Sequence, residues 1–412
     1  MSVALLWDAS HLWGLLARQA LTGFDVPCRL LKAQDIAQSF RSDKVSLLIV
    51  PGGSARHKFD ALGPAGRAAV RDFVASGGHY LGFCGGAGLG LSDAEMGIGL
   101  CPWKRVRMNG RLQHQLSGHV RVRFARRAAA NEAMLPDDCS EAEIPVWWPG
   151  WFEEPAGPSD VCVLARYAGA GADLHVADLD LGRLPAPVLE DWSAAYGIRL
   201  MPAMEGAPCV VHGRFGEGTY TLSYSHLETP ASLRANAWLA KLLRGLGHVS
   251  PRAEKLPAWY PSVGVRWTEP VLLSCREGML ELLALGCEQG LLFPRQPWLV
   301  GWHAGVPGVG LNTLSLAFCM LAGKAPAPAA EAAWDRVKAG VAETFARFRH
   351  GAESCLLAQR LAATVPEAVP AQELAARRKA LFGTPMQSGG LCQELLDLLD
   401  ETLFIHLRDE EN

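Results

Sequence analysis

Three short patterns in this chain suit chemistry by residue type and spacing: a cysteine set among glycines, a histidine two residues before a glutamate, and a glycine pair closing an apolar run. Gly82-Phe83-Cys84-Gly85-Gly86 has the G-x-C-x-G spacing of a nucleophile elbow. In such an elbow, small residues on either side let a strained turn push the reactive side chain out of a sheet. A helix opening straight after Cys84 would aim backbone N–H groups at the sulfur and favour the thiolate, which is the attacking species. A thiolate attacking a carbonyl needs an oxyanion hole. The N–H of Gly85 is one candidate donor, and Gly53, which closes Pro51-Gly52-Gly53, is the other. The base is expected to be a histidine oriented by a carboxylate. Of the twelve histidines, His226 keeps that company in Ser225-His226-Leu227-Glu228. On an extended segment positions two apart share a face, so Glu228 can reach the His226 ring. Each pattern alone reads more plainly as a buried thiol, a surface accident or a turn. Their joint occurrence, each at a strand end, favours a Cys84-His226-Glu228 triad.

These residues need a sheet to bring them together. Val45–Val50 and His79–Phe83 are unbroken apolar runs that end in the glycine motifs, and Val3–Trp7 and Pro27–Leu31 read as two further strands. Leu12–Leu21 and Pro64–Ser76 read as helices, the second stopped by Gly77-Gly78. Alternating helices and fully apolar strands mean an α/β fold, a parallel sheet with helices on both faces. Ligands then bind at the carboxyl ends of the strands. Further on, Val120–Phe124 alternates like a half-exposed strand, Val146–Phe152 is aromatic-rich, and Val161–Tyr167 is a strand. Cys209–Arg214 and Thr219–Tyr224 flank a glycine turn and read as a hairpin, and Ser232–Leu246 reads as a helix. Gly171–Pro208 shows turns and no clear element.

The domain expectation is an α/β domain over 1–249, a Pro- and Trp-rich linker over 250–270, and a mostly α accessory domain over 271–412. In the last region the helical patterns are Val271–Leu285, Asn312–Leu321, Ala329–Arg349, Ser354–Ala363, Ala371–Phe382 and Leu391–Leu407. Nothing in them forms a recognisable site.

Composition excludes several classes. A formal net charge of −3 with 20% charged residues calls for neither nucleic acid nor an anionic membrane as partner. No apolar run reaches the roughly 18 residues that cross a bilayer. The N-terminus lacks the basic lead and cleavage site of a signal peptide. Eleven cysteines without a C-x-x-C pair fit a reducing cytoplasm better than a disulfide framework. No cofactor or metal is expected.

The three motifs together resemble the class I glutamine amidotransferase-like superfamily, and within it the biotin–protein ligase N-terminal-like branch. The residues that carry the likeness are Ile49-Val50-Pro51-Gly52-Gly53, Gly82 to Ala87, Val146–Phe152 and Ser225 to Glu228. It covers about residues 1–248. The resemblance implies a flavodoxin-like fold, a Cys-His-Glu triad on Cys84, His226 and Glu228, and oxyanion donors near Gly53 and Gly85. The chain departs from the family pattern at Leu227, where proline usually follows the histidine. No P-loop, ATP-grasp signature or biotin ligase GRGRxxR-type loop is found, so neither a biotin nor a glutamine substrate follows.

Other features have plainer readings. Gly52, Gly86, Trp148 and Trp151 are candidate pocket residues, with core packing as the alternative for the tryptophans, Trp147 included. His114 and His119 in HQLSGH lack a third metal ligand and read as a solvated loop. The run Lys104, Arg105, Arg107, Arg111, Arg121, Arg123, Arg126, Arg127 reads as a solvated face rather than an acidic-ligand or nucleic-acid surface. Amphipathic Leu391–Leu407 suits packing within its own domain, with docking to a second copy or a partner protein as the other use. Two functions are therefore expected in competition. The first is a thiol-dependent amidase or amidotransferase-like hydrolase, acting on a C–N bond of a small-molecule or peptide amide of unknown identity. The second is a non-catalytic ligand- or partner-binding module on the same fold.

Overall fold

The computed structural model describes residues 2–42, 45–93, 95–107, 115–128, 131–196, 204–303, 305–384 and 387–408. The chain divides into two compact units, Met1–Pro257 and Ala258–Asn412. The first begins with β1 (Ser2–Leu6), α1 (His11–Gly23), β2 (Cys28–Leu31), α2 (Ile36–Ser42), β3 (Val45–Val50), α3 (Ala55–Ala75), β4 (His79–Phe83) and α4 (Gly85–Leu89). There follow β5 (Lys104–Arg105), β6 (Leu116–Phe124), β7 (Ala142–Trp147), β8 (Phe152–Glu153), β9 (Cys162–Ala170), β10 (His175–Val176), β11 (Leu179–Asp180) and α5 (Ala186–Tyr196). It closes with β12 (Pro208–Phe215), β13 (Gly218–Ser223) and α6 (Leu233–Gly247).

One sheet carries the unit, in the order β11-β10-β6-β9-β12-β13-β4-β3-β1-β2, with β7 also paired to β6. The run β2-β1-β3-β4-β13 is parallel. That order is the flavodoxin-like one. From β12 outward the pairs are antiparallel. Apolar runs make the centre: Leu47 to Val50 of β3 and Tyr80 to Phe83 of β4 are buried without alternation, as strands covered on both faces must be. Register sets the ends of three strands level. Val50 lies opposite Gly82, and Phe83 opposite Ser223, so the chain leaves β3, β4 and β13 at one edge.

Helix α3 starts earlier than its apolar spacing suggests. The Ser54 hydroxyl caps it by accepting from His57 N–H, and a break at Gly63 (φ 57°, ψ 179°) precedes Pro64. The extra segment, Ala55–Leu62, is half polar and escapes a periodicity search, yet it carries the buried Lys58.

The second unit contains α7 (Pro270–Glu288), a hairpin of β14 (Leu292–Gln296) and β15 (Leu299–Trp302), α8 (Gly308–Ala322), α9 (Pro328–Thr364), α10 (Ala371–Phe382) and α11 (Gly390–Arg408). The two helices expected at Ala329–Arg349 and Ser354–Ala363 are one helix of 37 residues. Gly351 does not break it: a Cβ there would stand 2.8 Å from Leu381, so this glycine admits α10. The hairpin was not expected; Asn312 holds it by pairing its amide with both the N–H and the C=O of Val300, at 3.0 and 2.8 Å. The Pro- and Trp-rich stretch is no free spacer. Leu256 is buried in the first unit, where its carbonyl accepts from Ala231 N–H. In the second unit Trp259 stacks on Trp298, and Trp267 meets Trp334 and His406. Among the described residues no helix is long and apolar enough to cross a membrane.

Candidate active site

Cys84 sits at the tip of β4 with φ 47° and ψ −104°, a conformation that residues other than glycine rarely adopt. Its neighbours explain how the chain bears this. A Cβ on Gly82 would lie 2.5 Å from the Gly86 carbonyl oxygen, one on Gly85 1.8 Å from that of Gly53, and one on Gly86 2.0 Å from that of Val50. Side chains are excluded at all three, because the turn is pressed between the ends of β3 and β4. Tyr80 closes it from below, its hydroxyl donating to the Gly86 carbonyl at 2.6 Å. The Cys84 N–H donates to the Ser223 carbonyl at 2.7 Å, which ties the elbow to the end of β13. Residues following Ser223 therefore rise beside the sulfur. Cys84 itself is half-buried.

His226 and Glu228 are fully buried, and His226 Nδ1 lies 2.7 Å from Glu228 Oε1. The segment is a turn and not the extended run expected: Thr229 N–H donates back to the His226 carbonyl. That turn, more than strand alternation, brings the carboxylate to the ring. Its backbone is held from two sides. His226 N–H donates to the Pro145 carbonyl of β7 at 2.9 Å. From α6, the Asn236 amide donates to the carbonyls of Leu227 and Thr229 at 3.0 and 2.8 Å and accepts Leu256 N–H. Leu227, where the family pattern has proline, is buried. Replacing Asn236 by alanine leaves these groups unpaired and is expected to lower stability by about 1–3 kcal/mol in urea unfolding and to slow Cys84 alkylation.

With Nδ1 engaged by Glu228, the other ring nitrogen, Nε2, is buried and makes no hydrogen bond among the described residues. Burial pushes the Cys84 thiol up, but the His226 side chain, the Arg105 guanidinium and the Gly85 N–H outweigh it and hold the thiol below its ordinary value. Burial pushes His226 the other way, downward; the Glu228 carboxylate and Cys84 reverse this and raise the imidazole well above its ordinary value. Each group favours the charged form of the other, so the two titrate as a coupled pair.

Each residue singled out in the sequence has a definite place. Gly53 (φ 105°) lies against the Ala9 carbonyl, and its own carbonyl faces Gly85. Neither Gly53 N–H nor Gly85 N–H donates to a backbone carbonyl among the described residues. Gly52 stands beside the ring of His226: a Cβ there would come 3.0 Å from its Cε1 and 2.9 Å from Trp13. Gly86 faces Val50 behind the elbow, where a Cβ would lie 2.0 Å from the Val50 carbonyl oxygen. Trp148 is half-buried with φ 57° and meets Trp13 edge-on at 5.6 Å. Trp151 is buried, and its carbonyl accepts Val106 N–H at 3.1 Å. Trp147 belongs to the core, where its indole N–H donates to Thr229 Oγ1. His119 pairs with Asp173 at 3.0 Å and with Ser232 Oγ at 3.0 Å; His114 and Arg111 lie outside the described residues. No group of three or more His, Cys, Asp or Glu among the described residues could hold a metal ion.

Several neighbours escaped the sequence reading. Trp13 of α1 lies against His226, ring centroids 4.4 Å apart. Lys58 is completely buried, donating to Ser10 Oγ at 2.6 Å and to the Asp8 carbonyl at 3.2 Å. Burial lowers it to about 7, against the raising effects of Asp8 and Cys84. His11 is lowered to about 4, first by burial and then by Lys58 and His57. The available signal was position: Asp8 to His11 follow β1, and a loop after the first strand opens on the same sheet edge as the elbow.

Among solved structures the chain is similar to a GMP synthase protein from Thermoplasma acidophilum, with 12% identity, 59% of this chain and 92% of that one covered, and a TM-score of 0.38. It is also similar to PurLQS from Thermotoga maritima, with 14% identity, 55% and 87% coverage and a TM-score of 0.32. A third is β-galactosidase from Bacillus circulans, with 12% identity, 61% of this chain but 31% of that one, and a TM-score of 0.33. Likeness at this level carries no statement about activity. No curated protein matches the chain. One family model does: residues 24–104, which hold Gly53 and Cys84 but not His226, are similar to the N-terminal part of biotin–protein ligase.

Proposed function

We propose that this chain is a glutamine amidotransferase-like protein that works as a thiol-dependent hydrolase of an amide bond. One observation carries the reading: at adjacent strand ends, a thiol held below its ordinary pKa stands with a buried imidazole raised above its own, and a carboxylate 2.7 Å from that imidazole. The similarity of residues 24–104 to the biotin–protein ligase N-terminal part supports it.

The Cys84 thiolate attacks the amide carbon, and the carbonyl π electrons move to oxygen. The N–H groups of Gly53 and Gly85 donate to that oxyanion. His226 gives its Nε2 proton to the nitrogen as the C–N bond breaks, which releases an amine and leaves a thioester on Cys84. Water, deprotonated by His226, then attacks the thioester; the C–S bond breaks and a carboxylic acid leaves. Glu228 holds the ring in one tautomer and stabilises the imidazolium.

Iodoacetamide at neutral pH, read cysteine by cysteine by mass spectrometry, tests the nucleophile. Cys84 is expected to react on the order of a hundredfold faster than the buried Cys209, whose thiol burial pushes well up. Equal rates would remove the reading. Ligand binding without amide turnover, unchanged in Cys84→Ser, would instead reassign the chain to a binding module.

A further inference from the structure

The basic run between Lys104 and Arg127 has two fates in the fold. Arg121 and Arg123 pair with Glu141 at 4.0 and 2.9 Å, and Arg127 with Glu132 and Asp137 at 3.7 and 3.8 Å. These arginines are solvated ion pairs and need no ligand. Arg105 is different: it is exposed and has no carboxylate partner among the described residues.

It is nonetheless held in place. β5 pairs with β8, Arg105 opposite Phe152, and the next residue, Val106, donates to the Trp151 carbonyl. The guanidinium lies over the Tyr224 ring, 5.8 Å from its centroid. Gly150 makes room for it: a Cβ there would come 3.0 Å from Arg105 Nε and 2.9 Å from Tyr224. Tyr224 sits two residues before His226, and the Arg105 charge is felt at the Cys84 sulfur. Of the other groups coupled to this thiol, His226 is raised, whereas burial lowers Lys58 to about 7. The Glu228 carboxylate is taken by His226. An anion in this site would find a counter-charge in the Arg105 guanidinium.

We infer that Arg105 is the anion-binding arm of the Cys84 site, and that the site takes amides of net negative charge. A carboxylate is the group whose two oxygens match the guanidinium fork. The inference rests on the nucleophile reading above.

The test compares three alkylating probes on the full chain at low ionic strength: iodoacetate (anionic), iodoacetamide (neutral) and bromoethylammonium (cationic). The quantity read is the ratio of their rates at Cys84. In Arg105→Ala the iodoacetate to iodoacetamide ratio is expected to fall roughly three- to tenfold, the size of one partly screened charge at contact range. The bromoethylammonium to iodoacetamide ratio is expected to rise, and added salt to shrink both changes in the wild type. Arg105→Lys, which keeps the charge, should retain most of the iodoacetate preference. Ratios unchanged in Arg105→Ala while Cys84 still alkylates rapidly would overturn the inference and leave the nucleophile standing. Slow alkylation of wild-type Cys84 by all three probes would remove the nucleophile reading, and the substrate class with it.

Discussion

Replacing His226 by alanine is expected to slow iodoacetamide alkylation of Cys84 at pH 7 by about a hundredfold and to move its rate–pH curve to higher pH. The sign follows from the competing causes at the sulfur. Burial raises the thiol; the His226 side chain leads the group of influences that lower it. Without the imidazole the largest remaining influence is burial, so the thiolate forms only at higher pH. Glu228→Gln should act the same way, less strongly. The Glu228 carboxylate is the main cause raising His226. With it gone, burial lets the ring go neutral near pH 7, and the sulfur loses its cation. Cys84→Ser is expected to remove amide turnover by at least about ten-thousandfold, because the hydroxyl stays protonated beside a histidine tuned for a thiolate. A His226→Ala protein with the wild-type rate and pH curve would show that the two groups do not act together.

The second large effect is steric. Gly85→Ala and Gly86→Ala are each expected to cost about 3–5 kcal/mol in urea unfolding or to prevent folding. Their β-carbons would stand 1.8 and 2.0 Å from the backbone carbonyl oxygens of Gly53 and Val50. Backbone oxygens at the ends of central strands have nowhere to retreat. Gly88→Ala on the same short helix is the control. Its β-carbon meets Ala55 at 3.4 Å, an ordinary contact, and alanine favours the helix. That variant should stay within about 1 kcal/mol of the wild type. Equal stability for all three would mean that the elbow is not wedged between β3 and β4 as described.

Much of this site was legible because its parts are local. The apolar runs Val45–Val50 and His79–Phe83 announce buried parallel strands, and both strands form with those bounds. Glycines flanking Cys84 announce a turn that no β-carbon could share. The short separation of His226 and Glu228 announces a pair, although a turn and not an extended strand brings them together. What failed was reading beyond one element. Gly86 faces Val50, and the direction of a missing side chain depends on which strand lies behind it. The helices expected at Ala329–Arg349 and Ser354–Ala363 are one, and Gly351 within it faces Leu381.

Residue order alone therefore determined the central strands and the elbow, because each is a property of a few consecutive side chains. Only the tertiary structure decided their company. Trp13 against the His226 ring, Lys58 buried under the first loop, and Arg105 laid over Tyr224 come from segments far apart in the chain. A parallel sheet delivers such segments to one edge in an order set by strand pairing, which no local pattern encodes. Charge follows the same rule. Whether a thiol ionises depends on burial and on which cations arrive beside it, and both are consequences of folding rather than of spacing.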